Sequence, residues 1–164
     1  MTNAEPYPDY MDSLFLPKEM NDAITRLREK KSPGPDKISN EMLKNLGEKA
    51  RKKLLDLLNQ SWKLGQVPQA WKDGNMIPIH KKGKSKKDVK SYRPICLTSC
   101  LGKLIESMIN KRLMWHLEKN QLITPQQAGF RQHHSTEDQV TYLSQKIEDG
   151  FQGKKHTLAA CCMG

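Results

Sequence analysis

Apolar residues recur along this chain at two periods. From Lys18 onward, Met20, Ala23, Ile24 and Leu27 follow a spacing of three and four, and the charged run 28–31 closes the pattern, which predicts a helix. A short helix is expected over residues 40–46, ending at Gly47. Ala50, Leu54, Leu57, Leu58 and Trp62 then share one helical face, with Gly65 as the stop. The widest amphipathic pattern runs through Leu101, Leu104, Ile105, Met108, Ile109, Arg112, Leu113, His116 and Leu117. A last helix is expected where Thr136-x-x-Gln139 fits a capping box, with Val140, Leu143 and Ile147 as its apolar face up to Gly150.

Between these helices the pattern changes. SPGPD, residues 32–36, places two prolines around a glycine and predicts a fixed turn. Val67, Pro68 and Trp71 predict an apolar turn. NMIPI at 75–79 and RPICLT at 93–98 read as two strands, with Pro78 confined to an edge or bulge because it has no N–H to give. Together they predict a hairpin with a long tip. Residues 122–127 read as a loop, 128–131 as a turn, and 156–162 as a short apolar run able to begin a strand. Mostly helices with one hairpin is an α+β class.

Charge changes the picture at the hairpin. The 164 residues carry a formal +10, unevenly distributed. Residues 1–20 hold Glu5, Asp9, Asp12 and Glu19 against Lys18, a net of −3. Residues 80–93 hold six lysines and Arg93 against Asp88, a net of +6. A field of that density suits a polyanion, either nucleic acid or a triphosphate; a solvated loop that only aids solubility has the same composition. Lysine brings a mobile point charge and arginine a planar fork for two phosphate oxygens, so Lys81 or Lys82 and Arg93, on opposite limbs, could converge on one anion.

Other candidates carry less. Cys96, Cys100, Cys161 and Cys162 contain no Cys-x-x-Cys pair, and no histidine pair stands at zinc-finger spacing, which points to ordinary thiols in a reducing compartment. Adjacent His133 and His134 point in different directions and lack a supporting carboxylate pattern. Trp62, Trp71 and Trp115 occupy packing positions rather than stacking platforms. The N-terminus lacks the basic start and apolar centre of a signal peptide, and no apolar run reaches the roughly 18 residues of a bilayer span, so a soluble, intracellular protein is expected.

Several short stretches stand in one order: KSPGPD at 31–36, VPQAWK at 67–72, IPIHKK at 77–82, SYRPICL at 91–97, GKLIE at 102–106, and QAGFR at 127–131 followed by Ser135 and Thr136. Each is weak alone. Taken together, over roughly residues 15–160, they resemble the N-terminal fingers half of the reverse transcriptase of a non-LTR retrotransposon. The resemblance implies an RNA template, a DNA primer and a deoxynucleoside triphosphate as partners, with no membrane. It implies triphosphate contact at Lys81 or Lys82 and at Arg93, and template-side contact near Gly129, Phe130 and Arg131; by charge, Lys84, Lys86, Lys87 and Lys90 are the further candidates for template or other nucleic-acid contact.

The resemblance also implies a departure. The family's palm begins with a strand ending in a metal-binding aspartate and later carries an Ala-Asp-Asp turn. Here the strand reads KHTLAACCMG, residues 155–164, with Met163 near the aligned position. The nine Asp and nine Glu suggest no convergent pair, whereas two-metal nucleotidyl transfer needs carboxylates to hold both ions. The expected organisation is a tail or linker over 1–17, a mostly helical fingers portion with its basic hairpin over 18–155, and an aborted first palm strand over 156–164, with the rest of the palm missing. Mg²⁺ is expected for the intact enzyme, and no catalytic, metal or cofactor residue in this chain. Such a fragment binds nucleic acid and triphosphate weakly without polymerising. The alternatives are a non-enzymatic basic RNA- or DNA-binding module and a non-functional remnant.

Overall fold

A computed structural model describes residues 11–124, 127–131 and 133–154. The expected palm strand at 156–164 and the thiols Cys161 and Cys162 lie outside the described residues. The order of elements is α1 (Pro17–Arg26), α2 (Asn40–Lys44), α3 (Glu48–Leu64), α4 (Gln69–Lys72), β1 (Gly74–His80), β2 (Tyr92–Thr98), α5 (Cys100–Lys119) and α6 (Thr136–Gln152). Helices with one antiparallel two-stranded sheet make the α+β class expected from the pattern. The chain divides into two compact units, Met1–Leu113 and Met114–Gly164.

In the first unit Pro17 opens α1 at a position where its missing N–H costs nothing. Glu19 reaches back, its Oε2 accepting the Leu16 N–H at 2.7 Å. The buried face of α1 is Met20, Ala23 and Ile24, as its spacing predicts. These join Leu43 of α2, Leu54, Leu55 and Leu58 of α3, and Leu101, Leu104, Ile105 and Met108 of α5 in one core. The face of α3 is rotated from the expected one: Leu55 and Ser61 are buried, while Ala50 and Leu57 are exposed. Both sets fit a helical repeat around Leu54 and Leu58, so packing against neighbouring helices makes the choice. Gly65 ends α3 in the left-handed region at φ 62°, where its N–H reaches the Ser61 and Trp62 carbonyls.

The expected tail is corrected at its C-terminal end. Phe15 is only 2% exposed and packs against Trp62 with the rings tilted by 49° and their centroids 5.3 Å apart. Asn59 holds its backbone from both sides, Oδ1 accepting the Phe15 N–H at 2.7 Å and Nδ2 donating to the Phe15 carbonyl at 3.0 Å. The guanidinium of Arg112 lies over the same ring, 4.4 Å from its centroid. An aromatic side chain that finds this much apolar surface is drawn out of water.

Two close approaches and a helix cap hold the base of the hairpin. A Cβ added to Gly34 would meet the Ser99 nitrogen at 2.6 Å and the Thr98 carbonyl carbon at 2.7 Å, so the SPGPD turn lies directly on the backbone where β2 passes into α5. Ser99, fully buried, accepts the Leu101 and Gly102 N–H groups on its Oγ and so caps α5. Gly102 lets the Trp71 backbone come close, since its Cβ would stand 3.3 Å from the Trp71 oxygen. The expected turn at 67–71 is thus in part a one-turn helix, α4, that buries Trp71.

Helix α6 lies in the second unit. Ser135, not Thr136, is the N-cap of α6: its Oγ accepts the Asp138 N–H at 3.2 Å, and the Asp138 carboxylate accepts the Ser135 N–H at 2.8 Å. The expected Thr136–Gln139 box is therefore one residue out of register, because a cap must keep extended backbone and Ser135 does, at φ −130° and ψ 165°. Helix α6 buries none of its residues; Val140 and Leu143 are exposed. Trp115, half-buried, carries Lys119 Nζ 4.5 Å over its ring.

Candidate nucleic-acid interface

The two strands pair without a bulge, Gly74 opposite Thr98 through His80 opposite Tyr92. The Lys81 N–H donates to the Ser91 carbonyl at 2.7 Å, so the bonded pairs alternate back through Ile79–Arg93 and Ile77–Ile95. Pro78 and Pro94 face each other at a non-bonded pair, which is how two prolines fit one ladder without losing a bond. The alternation puts Arg93, Ile95 and Leu97 on one face with Ile79 and Ile77, and Tyr92, Pro94 and Cys96 on the other with His80, Pro78 and Met76. Most of these side chains are exposed, with Tyr92, His80 and Leu97 half-buried, so much of the hairpin stands clear of the core.

Arg93 thus faces Ile79 directly, and Lys81 is its diagonal neighbour on the same face at the mouth of the loop. Such neighbours are separated by about 7–8 Å, a gap that one phosphate group can bridge. Arg93 is exposed and forms no ion pair or hydrogen bond through its side chain with a described residue, leaving its fork free. Lys81 donates through Nζ to the Lys90 carbonyl at 2.7 Å, which positions its ammonium while keeping its charge.

The loop is shaped by its own backbone and one aromatic. The Tyr92 hydroxyl donates to the Lys86 carbonyl at 3.1 Å, folding the tip back toward the strand, and its ring meets His80 edge-on at 5.2 Å. Gly83 turns the chain at φ 79°. Asp88 accepts the Lys90 N–H at 2.9 Å and caps the short 3₁₀ turn Val89–Ser91. The side chains of Lys82, Lys84, Lys86, Lys87 and Lys90 are exposed and find no carboxylate among the described residues. Tyr92, beside Arg93 in the sequence, thus packs within the hairpin and pins the loop tip.

The second expected contact region divides. Phe130 is fully exposed in the left-handed region at φ 62°, and the space around Gly129 is open. Arg131 behaves differently. Its Nε and Nη2 donate to both oxygens of Glu118 at 2.9 and 2.8 Å, and its Nη1 donates to the Thr124 and Gln127 carbonyls at 3.2 and 3.1 Å. The fork is spent on an internal clamp, and its hydrogen bonds hold the Glu118 carboxyl below the usual carboxylate range. Nothing in the local sequence marks Glu118, thirteen residues upstream, as that partner. His133 and His134 are exposed beside it.

A profile of the reverse transcriptase (RNA-dependent DNA polymerase) family matches residues 79–161, from the end of β1 onward. The chain belongs to the reverse transcriptase family. Its relatives are enzymes of non-LTR retrotransposons. It is 36% identical to the "Probable RNA-directed DNA polymerase from transposon BS" of Drosophila melanogaster, over 94% of this chain and 18% of that protein. It is 34% identical to the "RNA-directed DNA polymerase from mobile element jockey" of the same fly, over 93% of this chain and 18% of that protein. A third relative, the "Retrovirus-related Pol polyprotein from type-1 retrotransposable element R1" of Bradysia coprophila, is 33% identical over 79% of this chain and 13% of that protein. The chain therefore spans less than a fifth of the length of those relatives.

Enzymes of the family generally use Mg²⁺. Among the described residues, no three His, Cys, Asp or Glu side chains gather closely enough to hold a metal ion. A cavity of about 820 Å³ in the first unit, floored by Trp62, Trp71 and Ile105, is lined by none of the expected contact residues. No helix of the described residues is long and apolar enough to cross a membrane.

Proposed function

We propose that residues 18–155 are the fingers portion of a non-LTR reverse transcriptase, and that the hairpin loop is its polyanion contact. Arg93 and Lys81, with Lys82 beside them, meet the phosphates of an incoming deoxynucleoside triphosphate. Lys84, Lys86, Lys87 and Lys90 meet the backbone of the RNA template and DNA primer, with Gly129 and the exposed ring of Phe130 on the template side. Arg131 serves that region by holding the loop in shape.

The observation that carries this reading is the freedom of the charges. One planar fork and six ammoniums stand at the end of a hairpin with no acidic partner among the described residues. Isolated lysine–phosphate contacts in water are each worth little, so the chain alone should hold a triphosphate only near millimolar. Nucleic acid, which engages more of the loop at once, is held more tightly. The test is binding of an RNA–DNA hybrid between about 50 and 200 mM salt. With four to six phosphates engaged, log K should fall against log salt with a slope of roughly −3 to −5. Affinity indifferent to salt overturns the assignment.

A further inference from the structure

The basic stretch contains two serines, and the structure treats them oppositely. Ser91 is 4% exposed, and its carbonyl is fixed by the Lys81 N–H. Ser85 stands exposed at the loop tip, its Oγ accepting only the Lys87 N–H at 3.3 Å. Residues 82–87 take no part in the strand ladder; they are held by local turns, Lys84 N–H to the Lys81 carbonyl and Asp88 N–H to the Ser85 carbonyl, and by one exposed tether, the Tyr92 hydroxyl on the Lys86 carbonyl. Such a segment can be drawn out into another protein's cleft at little cost to the fold.

We propose that Ser85 is a phosphorylation site, and that its phosphate turns off the loop's grip on nucleic acid. The inference rests on the polyanion reading above. Lysines stand one, three and four residues before the hydroxyl, at positions 84, 82 and 81. That pattern suits a serine kinase whose substrate cleft is acidic and whose phosphoryl donor is a nucleoside triphosphate. The Ser85 oxygen attacks the γ-phosphorus; the new O–P bond forms as the bond to the bridging β–γ oxygen breaks. The nucleoside diphosphate leaves, and the hydroxyl proton passes to the kinase's carboxylate base.

The consequence follows from charge. A phosphoserine carries about −1.5 to −2 at neutral pH, against the net +6 of residues 80–93. Its oxygens also find the Lys87 N–H already directed at Oγ, with free ammoniums on either side. Held within the same loop, this phosphate competes with nucleic-acid phosphates at high effective concentration. Ser91, buried under the loop's base, offers no equivalent site.

The experiment treats the full chain with a lysine- and arginine-directed serine kinase and ATP, maps the phosphate by mass spectrometry, and measures hybrid binding before and after. Incorporation at Ser85, at least tenfold weaker binding and a salt slope shallower by about two contacts are expected. Ser85→Ala should bind as the parent does and be insensitive to the kinase, while Ser85→Glu should weaken binding by a smaller factor. No phosphate at Ser85 when a basic control peptide is fully modified overturns the proposal. So does stoichiometric phosphate with unchanged affinity and slope. An unmodified chain that ignores the hybrid overturns the polyanion reading and the switch with it, whereas binding that survives phosphorylation removes the switch alone.

Discussion

Arg112 and Glu19 meet as a two-pronged ion pair, Nε to Oε1 at 2.8 Å and Nη2 to Oε2 at 2.7 Å, with side chains only 3% and 7% exposed. Nη1 and Nη2 also donate to the Ser13 and Leu14 carbonyls, and the plane covers Phe15. One residue of α5 thereby fastens the start of α1 and the strand of chain before it. The pair has no direct part in phosphate binding, yet it sets the core from which the hairpin projects.

Arg112→Ala should therefore be severely destabilising. It leaves the Glu19 carboxylate buried without its partner and strips two carbonyls of their donors, a loss on the order of 3–5 kcal/mol. The midpoint of urea unfolding measures it. Replacing both residues together, Glu19→Leu with Arg112→Met, should cost clearly less than the single change, because no orphaned charge remains. A single variant as stable as the parent would contradict the buried-pair account.

Gly34→Ala should also weaken the fold. The added methyl would stand 2.6 Å from the Ser99 nitrogen, and a backbone atom cannot swing aside as a side-chain tip can. Overpacking of this kind costs about 1–3 kcal/mol. Because the contact lies at the junction of β2 and α5, the hairpin should be cut faster by protease in the variant. Unchanged melting and unchanged cleavage would show that the turn is not seated there.

Arg93 and Lys86 should differ in their effect on nucleotide use. Joined to a family palm, Arg93→Ala is expected to raise KM for the nucleotide at least tenfold, about 1.4 kcal/mol, with folding intact. Lys86→Ala should do little, since its neighbours substitute for it. Equal effects would mean a diffuse charge patch. The chain of these 164 residues alone should give no primer extension with Mg²⁺ or Mn²⁺; template-directed product from pure protein would reveal a catalytic site of its own.

The Arg131 clamp should open in acid. Glu118 titrates below its ordinary value of 4.5 in the folded chain because Arg131 bonds the ionised form. A depressed carboxyl contributes stability that is fully present above its unfolded pKa and lost as pH falls through the folded one. Protection of the amides at 127–131 against hydrogen exchange should thus hold at neutral pH and fall as pH drops below about 4.5. Glu118→Gln should remove that pH dependence, and a profile unchanged by the substitution would rule out the clamp as its cause.

Much of this chain was legible before any coordinates. Helices with one long-tipped hairpin, the stop at Gly65, the rigid SPGPD turn and the basic loop all follow from short-range rules. Spacing, proline's missing N–H, glycine's left-handed backbone and charge density each act within a few residues. The fit of Pro78 to the ladder was half visible: proline demanded a site without a ladder bond, and only the register put Pro94 opposite it.

Tertiary structure decided which side chains are free to act. Arg93 and Arg131 look alike in the sequence, yet one fork is open and the other is closed by Glu118 and two carbonyls. Ser85 and Ser91 share one basic stretch, and only burial separates them. Arg112 finds Glu19 across 93 residues, and Phe15 leaves the expected tail for the core. Local pattern determines which backbone forms, because its forces reach a turn or two. The fate of a charge or a ring depends on what the fold brings within a few ångströms, and that is a property of the packed chain.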